Sequence, residues 1–490
     1  MRRFEGRKAS LAVLSGVLTA LAMPGFGGGP LVFVALVPLF FALEGRRRFL
    51  YGILFGAAFF ALDLRWILTL HRFSPLVIPG YVLLAGFSAL FCGVFALLLV
   101  RERSRPQPWI FLLGTPAAFT LVEFARAQGP LGSGFSALYQ ALYRVPALIQ
   151  AASVLGPWAI TALILVTNVG IYLSIRTKRA RYALAGVAAV ALLAAFALVP
   201  VAPNEGSPVR VAAVSSHVQQ EVKLDARNLA ALADRYENLG RLAIAEEVDL
   251  VVFPESILPA YILSDEALLS RLRNLATDGA TRVLFGTGEY RDRRIYNTVA
   301  LLSPTGDLRG TYSMVRPVPF GEYIPGRRLW EAIGLGRLID SFLPVDLTPG
   351  DAFRPLDGIG TPICFESTFP GPARAFVREG ARILAVVTND AWFVESSELA
   401  AHFAAAVFRA VETRRYVVQA ANGGVSGIID PRGRILAATM EEGIVRGTAY
   451  ERTDRSLYAR WGNLPLLLCL GTGWAAFAVV RLRRRNAERG

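Results

Sequence analysis

The run Val248-Asp-Leu-Val-Val-Phe253, followed directly by Pro254-Glu255, lies between two helical patterns at roughly 225–247 and 264–278. A short, almost wholly apolar run that stops at a proline is typical of a buried strand. Helical patterns on both sides indicate that this strand belongs to a sheet covered by helices. The segment therefore predicts an α/β domain.

Further strand patterns continue in both directions along the chain. They are Val209–Val214, Arg282–Gly286, Asn297–Ser303, Gly310–Val315, Arg382–Thr388, Tyr416–Ala421 and Gly427–Ile429, with another helix predicted over 397–413. The turns Pro304-Thr-Gly306 and Pro431-Arg-Gly433 join pieces that read as hairpins. Because hairpins pair strands antiparallel, we expect a mixed sheet rather than a purely parallel one.

Outside this domain the chain is far more apolar. The whole sequence is 53% hydrophobic and only 18% charged, whereas soluble domains carry about a quarter charged residues. The apolar runs fill residues 1–202 and return at 464–480. We therefore predict an N-terminal membrane domain of about seven spans over 1–202, a soluble domain over 203–458, and a C-terminal transmembrane helix with a basic tail over 459–490.

The positions of the basic residues predict an orientation for the spans. The spans are expected at 10–26, 30–44, 49–68, 76–100, 108–126, 155–175, 182–201 and 464–480. Basic clusters lie outside every second span, at Arg2, Arg3, Arg7 and Lys8, at Arg46–Arg48, at Arg101, Arg103 and Arg105, at Arg176–Arg181, and at Arg481–Arg485. Basic loops face the cytoplasm, so we expect both termini there and the soluble domain on the opposite side.

Charge and cysteine content narrow the function classes. The net charge of +14 comes largely from these basic loops, so we expect no nucleic-acid partner. Of the three cysteines, Cys92 and Cys469 lie in apolar runs and read as packing residues. Cys364 is alone in the soluble domain, which excludes a disulfide within it. This thiol is either a nucleophile or a buried structural residue.

Three short motifs place acids and this cysteine next to predicted strand ends or tight turns. They are Phe253-Pro-Glu255-Ser, Pro319-Phe-Gly-Glu322-Tyr-Ile-Pro325 and Thr361-Pro-Ile-Cys364-Phe-Glu366-Ser. A carboxylate directly after a buried strand is well placed as a general base, with burial raising its pKa. A cysteine in a tight turn can be a nucleophile whose oxyanion is held by backbone amides. Each motif alone also fits a structural role, such as a helix cap or a rigid loop.

Several other kinds of site have no support in the sequence. The three histidines are His71, His217 and His402, and none has a partner at zinc-ligand spacing. The chain contains no phosphate-binding loop and no dinucleotide fingerprint. We therefore predict no metal, no cofactor and no Ser-His-Asp triad.

Taken together, the three motifs resemble the nitrilase superfamily of carbon–nitrogen hydrolases, which uses a Glu–Lys–Cys triad on an αββα sandwich. With the apolar segments, the chain is similar to the apolipoprotein N-acyltransferase family, whose nitrilase-like domain precedes the last of eight spans. The resemblance also includes the segments 56–66, 129–140, 388–393 and 421–426. It covers nearly the whole chain.

The resemblance implies a two-step acyl transfer at a bacterial inner membrane, with the catalytic domain on the periplasmic side. Cys364 would take an acyl chain from a phospholipid as a thioester, and the α-amine of a diacylglyceryl-cysteine apolipoprotein would then accept it. Glu255 would be the base, and the Phe365 amide would help to hold the oxyanion. Glu322 and Glu366 would be supporting acids. No cofactor is implied, and a monomer is expected.

The sequence departs from this family at the lysine of the triad. The family's lysine lies eight residues before the glutamate of the Phe-Gly-Glu motif, and here that position is Met314. A thioether cannot donate a proton or carry charge. In an extended strand Arg316 would share a face with Met314, and we therefore expect its guanidinium to reach toward Cys364.

Three functions remain open at this point. The first is a lipoprotein N-acyltransferase. The second is a catalytically impaired or non-catalytic homologue that binds lipid or lipoprotein, because Met314 replaces the lysine. The third is a membrane-tethered amidase that cleaves small C–N bonds, although such a soluble substrate gives no reason for eight spans.

Overall fold

The computed structural model describes residues 2–99, 108–203 and 206–487. The chain forms two compact units, one comprising Met1–Pro200 with Arg460–Gly490 and the other Val201–Ala459. The predicted basic loop at Arg101, Arg103 and Arg105 lies outside the described residues.

The first unit is helical. Its helices before the soluble unit are α1 (Arg2–Ala22), α2 (Val37–Ala42), α3 (Arg48–Asp63), α4 (Val77–Leu98), α5 (Pro108–Arg126), α6 (Pro146–Ile149), α7 (Ala152–Leu155), α8 (Trp158–Thr177) and α9 (Arg181–Ala195). Short 3-10 helices lie at Gly29–Phe33, Arg65–Arg72, Leu138–Leu142 and Phe196–Leu198.

Three helical segments in the described part of the chain are long and apolar enough to cross a bilayer: α4, α8 and Arg181–Leu198. A fourth is obtained if α3 and Arg65–Arg72, which are bent by 49° at Leu64, count as one span. The predicted span at 30–44 is broken into the 3-10 helix Gly29–Phe33 and the short helix α2. The chain therefore has membrane-compatible helices, while the full set of eight spans stays a prediction.

The second unit alternates strands and helices, as its sequence predicts. Its elements are β1 (Pro208–Ser215), α10 (Gln220–Leu224), α11 (Leu229–Ile244), β2 (Leu250–Val252), α12 (Glu266–Asp278), β3 (Arg282–Arg291), β4 (Arg294–Leu302), β5 (Leu308–Ser313), α13 (Arg327–Ala332), α14 (Gly336–Phe342), β6 (Ile359–Gly360), α15 (Pro370–Arg378), β7 (Ile383–Asn389), α16 (Ser397–Thr413), β8 (Val417–Asn422), β9 (Ser426–Ile429), β10 (Ile435–Thr439) and β11 (Gly443–Tyr450). Helices α17 (Leu457–Trp461) and α18 (Leu464–Ala487) follow.

These strands form two mixed sheets. The six-stranded sheet has the order β11-β1-β2-β3-β4-β5, in which β1, β2 and β3 run parallel and the other pairs antiparallel. The five-stranded sheet has the order β10-β9-β8-β7-β6, with β6, β7 and β8 parallel. Helices α11 and α12 bury their apolar faces on the first sheet, and α15 and α16 pack on the second. The second unit is therefore an α/β domain with two mixed sheets, each covered by helices.

A close approach between β3 and the segment after β2 fixes the position of Glu255. The amide of Gly286 donates to the Pro254 oxygen at 3.1 Å, and the amide of Ile257 donates to the Gly286 oxygen at 3.0 Å. A Cβ atom on Gly286 would lie 2.6 Å from the Glu255 Cα and from the Ser256 backbone nitrogen. Backbone atoms cannot rotate away as a side chain can, so only glycine fits there without a shift.

We therefore expect Gly286→Ala to destabilise the domain by about 1–3 kcal/mol, as overpacking of a tight contact does. Thermal unfolding of the purified full-length protein in detergent measures the change. Gly371→Ala is the matched control, because a Cβ at Gly371 in α15 meets nothing within 4 Å. A Gly286→Ala protein that unfolds at the wild-type temperature would contradict this account.

Candidate active site

Glu255 follows the short central strand β2 and is 7% exposed. One of its carboxylate oxygens, Oε1, accepts a hydrogen bond of 2.6 Å from Nδ2 of Asn297 on β4. Burial raises the pKa of Glu255, and the bond from Asn297, the charge of Lys223 and a hydrogen bond with Cys364 oppose that rise. The carboxylate is thus close enough to the thiol for the two to interact, and burial makes it more basic than an exposed carboxylate.

Glu322 shares the same amide group. Nδ2 of Asn297 also donates to Glu322 Oε1 at 3.1 Å, while the amide of Val318 donates to Oε2 at 2.7 Å. Burial raises the pKa of Glu322 to about 7, and the charge of Glu255 adds to the rise. One neutral amide therefore bridges two acids. In the sequence, Glu255, Glu322 and Cys364 belong to three separate motifs.

Cys364 opens the 3-10 helix Cys364–Thr368 with a φ of 45°, in the left-handed region. Non-glycine residues in that region are strained, and such strain is frequent at reactive positions. Burial raises the pKa of the Cys364 thiol well above its ordinary value, and the charges of Glu255, Asp390 and Glu322 raise it further. The resting thiol is consequently protonated and needs a base to become a nucleophile.

A buried histidine, His402, lies against the turn that contains Cys364, which the spacing of histidines in the sequence does not indicate. Nε2 of His402 lies 2.8 Å from Oγ of Ser367 and 3.0 Å from the backbone oxygen of Cys364, and Nδ1 lies 2.9 Å from Oδ1 of Asp390. Ligand atoms of Cys364, Asp390 and His402 lie within 4.8 Å of one another. Both ring nitrogens of His402 thus have hydrogen-bonding partners, which link the Cys364 turn to Asp390.

Glu366 is fully buried and ties two loops together. Its Oε1 accepts from the amides of Val315 at 2.7 Å and Arg316 at 2.9 Å, and its Oε2 accepts from the amide of Ile363 at 3.1 Å. The hydroxyl of Tyr312 donates to both oxygens. Burial raises the pKa of Glu366 to about 7, although these hydrogen bonds act to lower it. Glu366 thus holds the loop after β5 against the turn at Ile363–Cys364.

The expectation that Arg316 continues the strand and shares a face with Met314 is wrong in this structure. Strand β5 ends at Ser313, and the amides of Val315 and Arg316 turn toward Glu366, so the alternation of side chains does not continue to residue 316. The guanidinium carbon of Arg316 lies 3.6 Å from the centroid of the Phe369 ring. Met314 is 2% exposed, and its Sδ lies 3.8 Å from Nδ2 of Asn297.

The structure instead places Lys223 at the site, a residue that the sequence motifs did not include. Lys223 lies on α10, is 4% exposed, and donates from Nζ to the backbone oxygen of Glu255 at 3.0 Å. Burial lowers the pKa of Lys223 to about 8, and the charges of Glu255 and Cys364 oppose the fall. One signal could have found it: Lys223 is the only lysine between residues 203 and 458.

Comparisons with known proteins match both units. The Carbon-nitrogen hydrolase family model matches residues 210–463, and the Apolipoprotein N-acyltransferase N-terminal domain model matches residues 15–170. The apolipoprotein N-acyltransferase of Geobacter metallireducens is 34% identical, covering 97% of this chain and 95% of that protein. That of Thermotoga maritima is 31% identical, covering 99% and 97%. Among solved structures, a Nesterenkonia amidase of the nitrilase superfamily is 18% identical, with a TM-score of 0.39, covering 53% of this chain and 96% of its own.

The Cys364 thiol should titrate at a lower pH when Glu255 is neutralised. A neighbouring carboxylate opposes the thiolate, so Glu255→Gln removes the largest charge that raises the pKa of Cys364, while Asp390 and Glu322 remain. The rate of iodoacetamide alkylation of the Cys364 peptide across pH, followed by mass spectrometry, gives the inflection. Glu331→Gln, on exposed α13, should leave it unchanged. An inflection that stays or rises in Glu255→Gln would refute this electrostatic account.

Proposed function

This chain belongs to the apolipoprotein N-acyltransferase family and is an acyltransferase of lipoprotein maturation; we propose that Cys364 and Glu255 carry out its chemistry with a phospholipid as acyl donor. The observation that carries the proposal is the interaction between the Cys364 thiol, which has a left-handed backbone and a raised pKa, and the buried Glu255 carboxylate, whose pKa is also raised. A nucleophile and a base within hydrogen-bonding reach are the minimum for covalent catalysis.

In the first half of the reaction, Glu255 takes the proton of the Cys364 thiol as sulfur attacks a phospholipid ester carbonyl. A C–S bond forms and the ester C–O bond breaks. The lysophospholipid leaves as an alcohol with the proton that Glu255 returns. The amide of Phe365, directly after the nucleophile in its 3-10 helix, is proposed to donate to the tetrahedral oxyanion.

In the second half, the α-amine of a diacylglyceryl-cysteine apolipoprotein attacks the thioester. A C–N bond forms, the C–S bond breaks, and Glu255 passes the proton of the amine to the departing thiolate. We propose that Glu322, bridged to Glu255 through Asn297, tunes the charge of the base. Glu366 is proposed to act through the backbone, by holding the loops in place.

The enzyme is a membrane protein, and its finer placement is part of this proposal. Basic loops outside every second predicted span support cytoplasmic termini, with the catalytic domain over 203–458 on the periplasmic side of a bacterial inner membrane. Residues 1–202 and 459–490 then form the membrane domain and the C-terminal anchor. We propose that the enzyme acts as a monomer, with apolipoproteins as acceptors.

The competing functions are not favoured. A non-catalytic homologue gives no reason for a base in contact with a strained thiol, and the curated relatives are acyltransferases by name. An amidase of small soluble molecules would not need the N-terminal domain that matches residues 15–170.

Incubation of the full-length protein with phosphatidylethanolamine and phosphatidylglycerol vesicles should add one acyl mass to Cys364. The adduct should be released by hydroxylamine, as a thioester is, and should pass to a synthetic diacylglyceryl-cysteine peptide. Intact mass and peptide mapping measure both steps.

Matched variants separate the roles of the residues. Cys364→Ala should abolish the adduct, Glu255→Gln should slow it about 10²–10⁴-fold, and Cys469→Ala, at an exposed cysteine on α18, should load normally. No adduct on the wild type with either phospholipid, or loading of Cys364→Ala, would overturn the proposal.

A further inference from the structure

We propose that Lys223 is a catalytic residue whose ammonium stabilises the tetrahedral oxyanion at Cys364, so that the site keeps a cation although Met314 occupies the position of the family's lysine. The inference rests on the acyl transfer proposed above and identifies a further residue that performs it.

The need for a cation follows from the charges around the thiol. Glu255, Glu322 and Asp390 all act to raise the pKa of Cys364. A reaction that places negative charge on sulfur and then on a carbonyl oxygen would be opposed by these three acids in a water-poor site. A positive group close to Cys364 would stabilise the negative charge on sulfur and then on the carbonyl oxygen. Met314 cannot supply such a group.

The nearby arginine and histidine have other partners in the structure. The guanidinium of Arg316 lies on the Phe369 ring, and the charged groups acting on it are Tyr323 and Glu366. The imidazole of His402 contacts Asp390 and Ser367 through its two ring nitrogens. Of Lys223, Arg316 and His402, Lys223 is the one whose charge interacts with both Glu255 and Cys364.

The attachment of Lys223 suits this role. An ammonium has three N–H donors, and one of them is bound to the backbone oxygen of Glu255 at 3.0 Å. That bond holds Nζ beside the base without neutralising it, since the acceptor is a carbonyl oxygen and not the carboxylate. A side chain that is 4% exposed also loses little further entropy when substrate binds.

The choice of lysine over arginine is itself informative. The chain contains 49 arginines and only three lysines, which are Lys8, Lys178 and Lys223. An ammonium is a compact charge on a flexible stem, whereas a guanidinium is a broad planar fork. A chain that uses arginine for nearly all of its cations has a lysine at a buried position that contacts the Glu255 backbone.

A purely structural role is the rival explanation, in which Lys223 only ties α10 to the loop of Glu255. Lys223→Gln separates the two roles, because an amide side chain keeps an N–H donor for the Glu255 oxygen but carries no charge. We expect Lys223→Gln to fold and to form the Cys364 thioester about 10²–10³-fold more slowly, as loss of an oxyanion donor does. Lys178→Gln, at an exposed lysine, is the matched control and should load at the wild-type rate.

A rescue variant keeps the test decisive. Met314 lies beside Asn297, which contacts both Glu255 and Glu322, so Met314→Lys would return a cation to the same acids from the segment directly after β5. We expect Met314→Lys combined with Lys223→Gln to recover at least tenfold of the lost rate of thioester formation. A structural tie through the Glu255 carbonyl would not be restored in this way.

The outcomes are distinct from those of the proposed function. The full-length proteins are incubated with the same phosphatidylethanolamine and phosphatidylglycerol vesicles, and thermal unfolding is measured in parallel. A wild type that does not load refutes the acyl transfer itself. A wild type that loads while Lys223→Gln loads equally fast refutes only the role of Lys223. Slow loading with a lowered unfolding temperature and no recovery by Met314→Lys also refutes it, in favour of the structural tie.

Discussion

The burial of ionisable groups is the constraint on which the rest of this site depends. Glu255 and Glu366 are nearly or fully buried, and the Cys364 thiol lies among carboxylates. Isolated buried charges cost several kcal/mol unless they are paired or hydrogen-bonded. Here one amide, that of Asn297, serves Glu255 and Glu322, four donors converge on Glu366, and one ammonium lies beside Glu255. The same contacts that make these charges tolerable also set their reactivity.

The fold brings these groups together from distant parts of the chain. Glu255 follows a central strand of the first sheet, Asn297 lies on β4, and Lys223 lies on the short helix after β1. Cys364 belongs to the second sheet's side of the domain, where Ile363 pairs with Val387. The close approach of Gly286 to the Glu255 backbone leaves no space between β3 and the loop that contains Glu255. The relative positions of the site residues therefore depend on the pairing of these strands.

Much of this arrangement could be predicted from the sequence, because apolar runs such as the one before Pro254-Glu255 mark strand ends locally. Strands β6 and β11 are not predicted, since Ile359–Gly360 is only two residues long and Gly443–Tyr450 is half-exposed and lacks a continuous apolar run. The place of Arg316 was predicted wrongly, because the carboxylate that bends the chain there, Glu366, lies 50 residues away. Lys223 lies in an ordinary helical segment, Gln220-Glu-Val-Lys-Leu224, and only the tertiary contact with Glu255 distinguishes it. In the sequence, Lys223 stands out only because lysine is rare in this chain, and a search for motifs does not detect that.

The burial of Lys223 has one more consequence for an enzyme that makes amides. An unprotonated amine beside a thioester is itself an acyl acceptor, and its acylation would convert the lysine into an uncharged amide. Burial lowers the pKa of Lys223 to about 8, while the neighbouring charges of Glu255 and Cys364 act to keep its proton in place. On the proposal above, the same positive charge that assists the reaction also prevents the lysine from competing with the substrate. The protein and its acceptor then present two amines to one thioester, and protonation decides which of them is acylated.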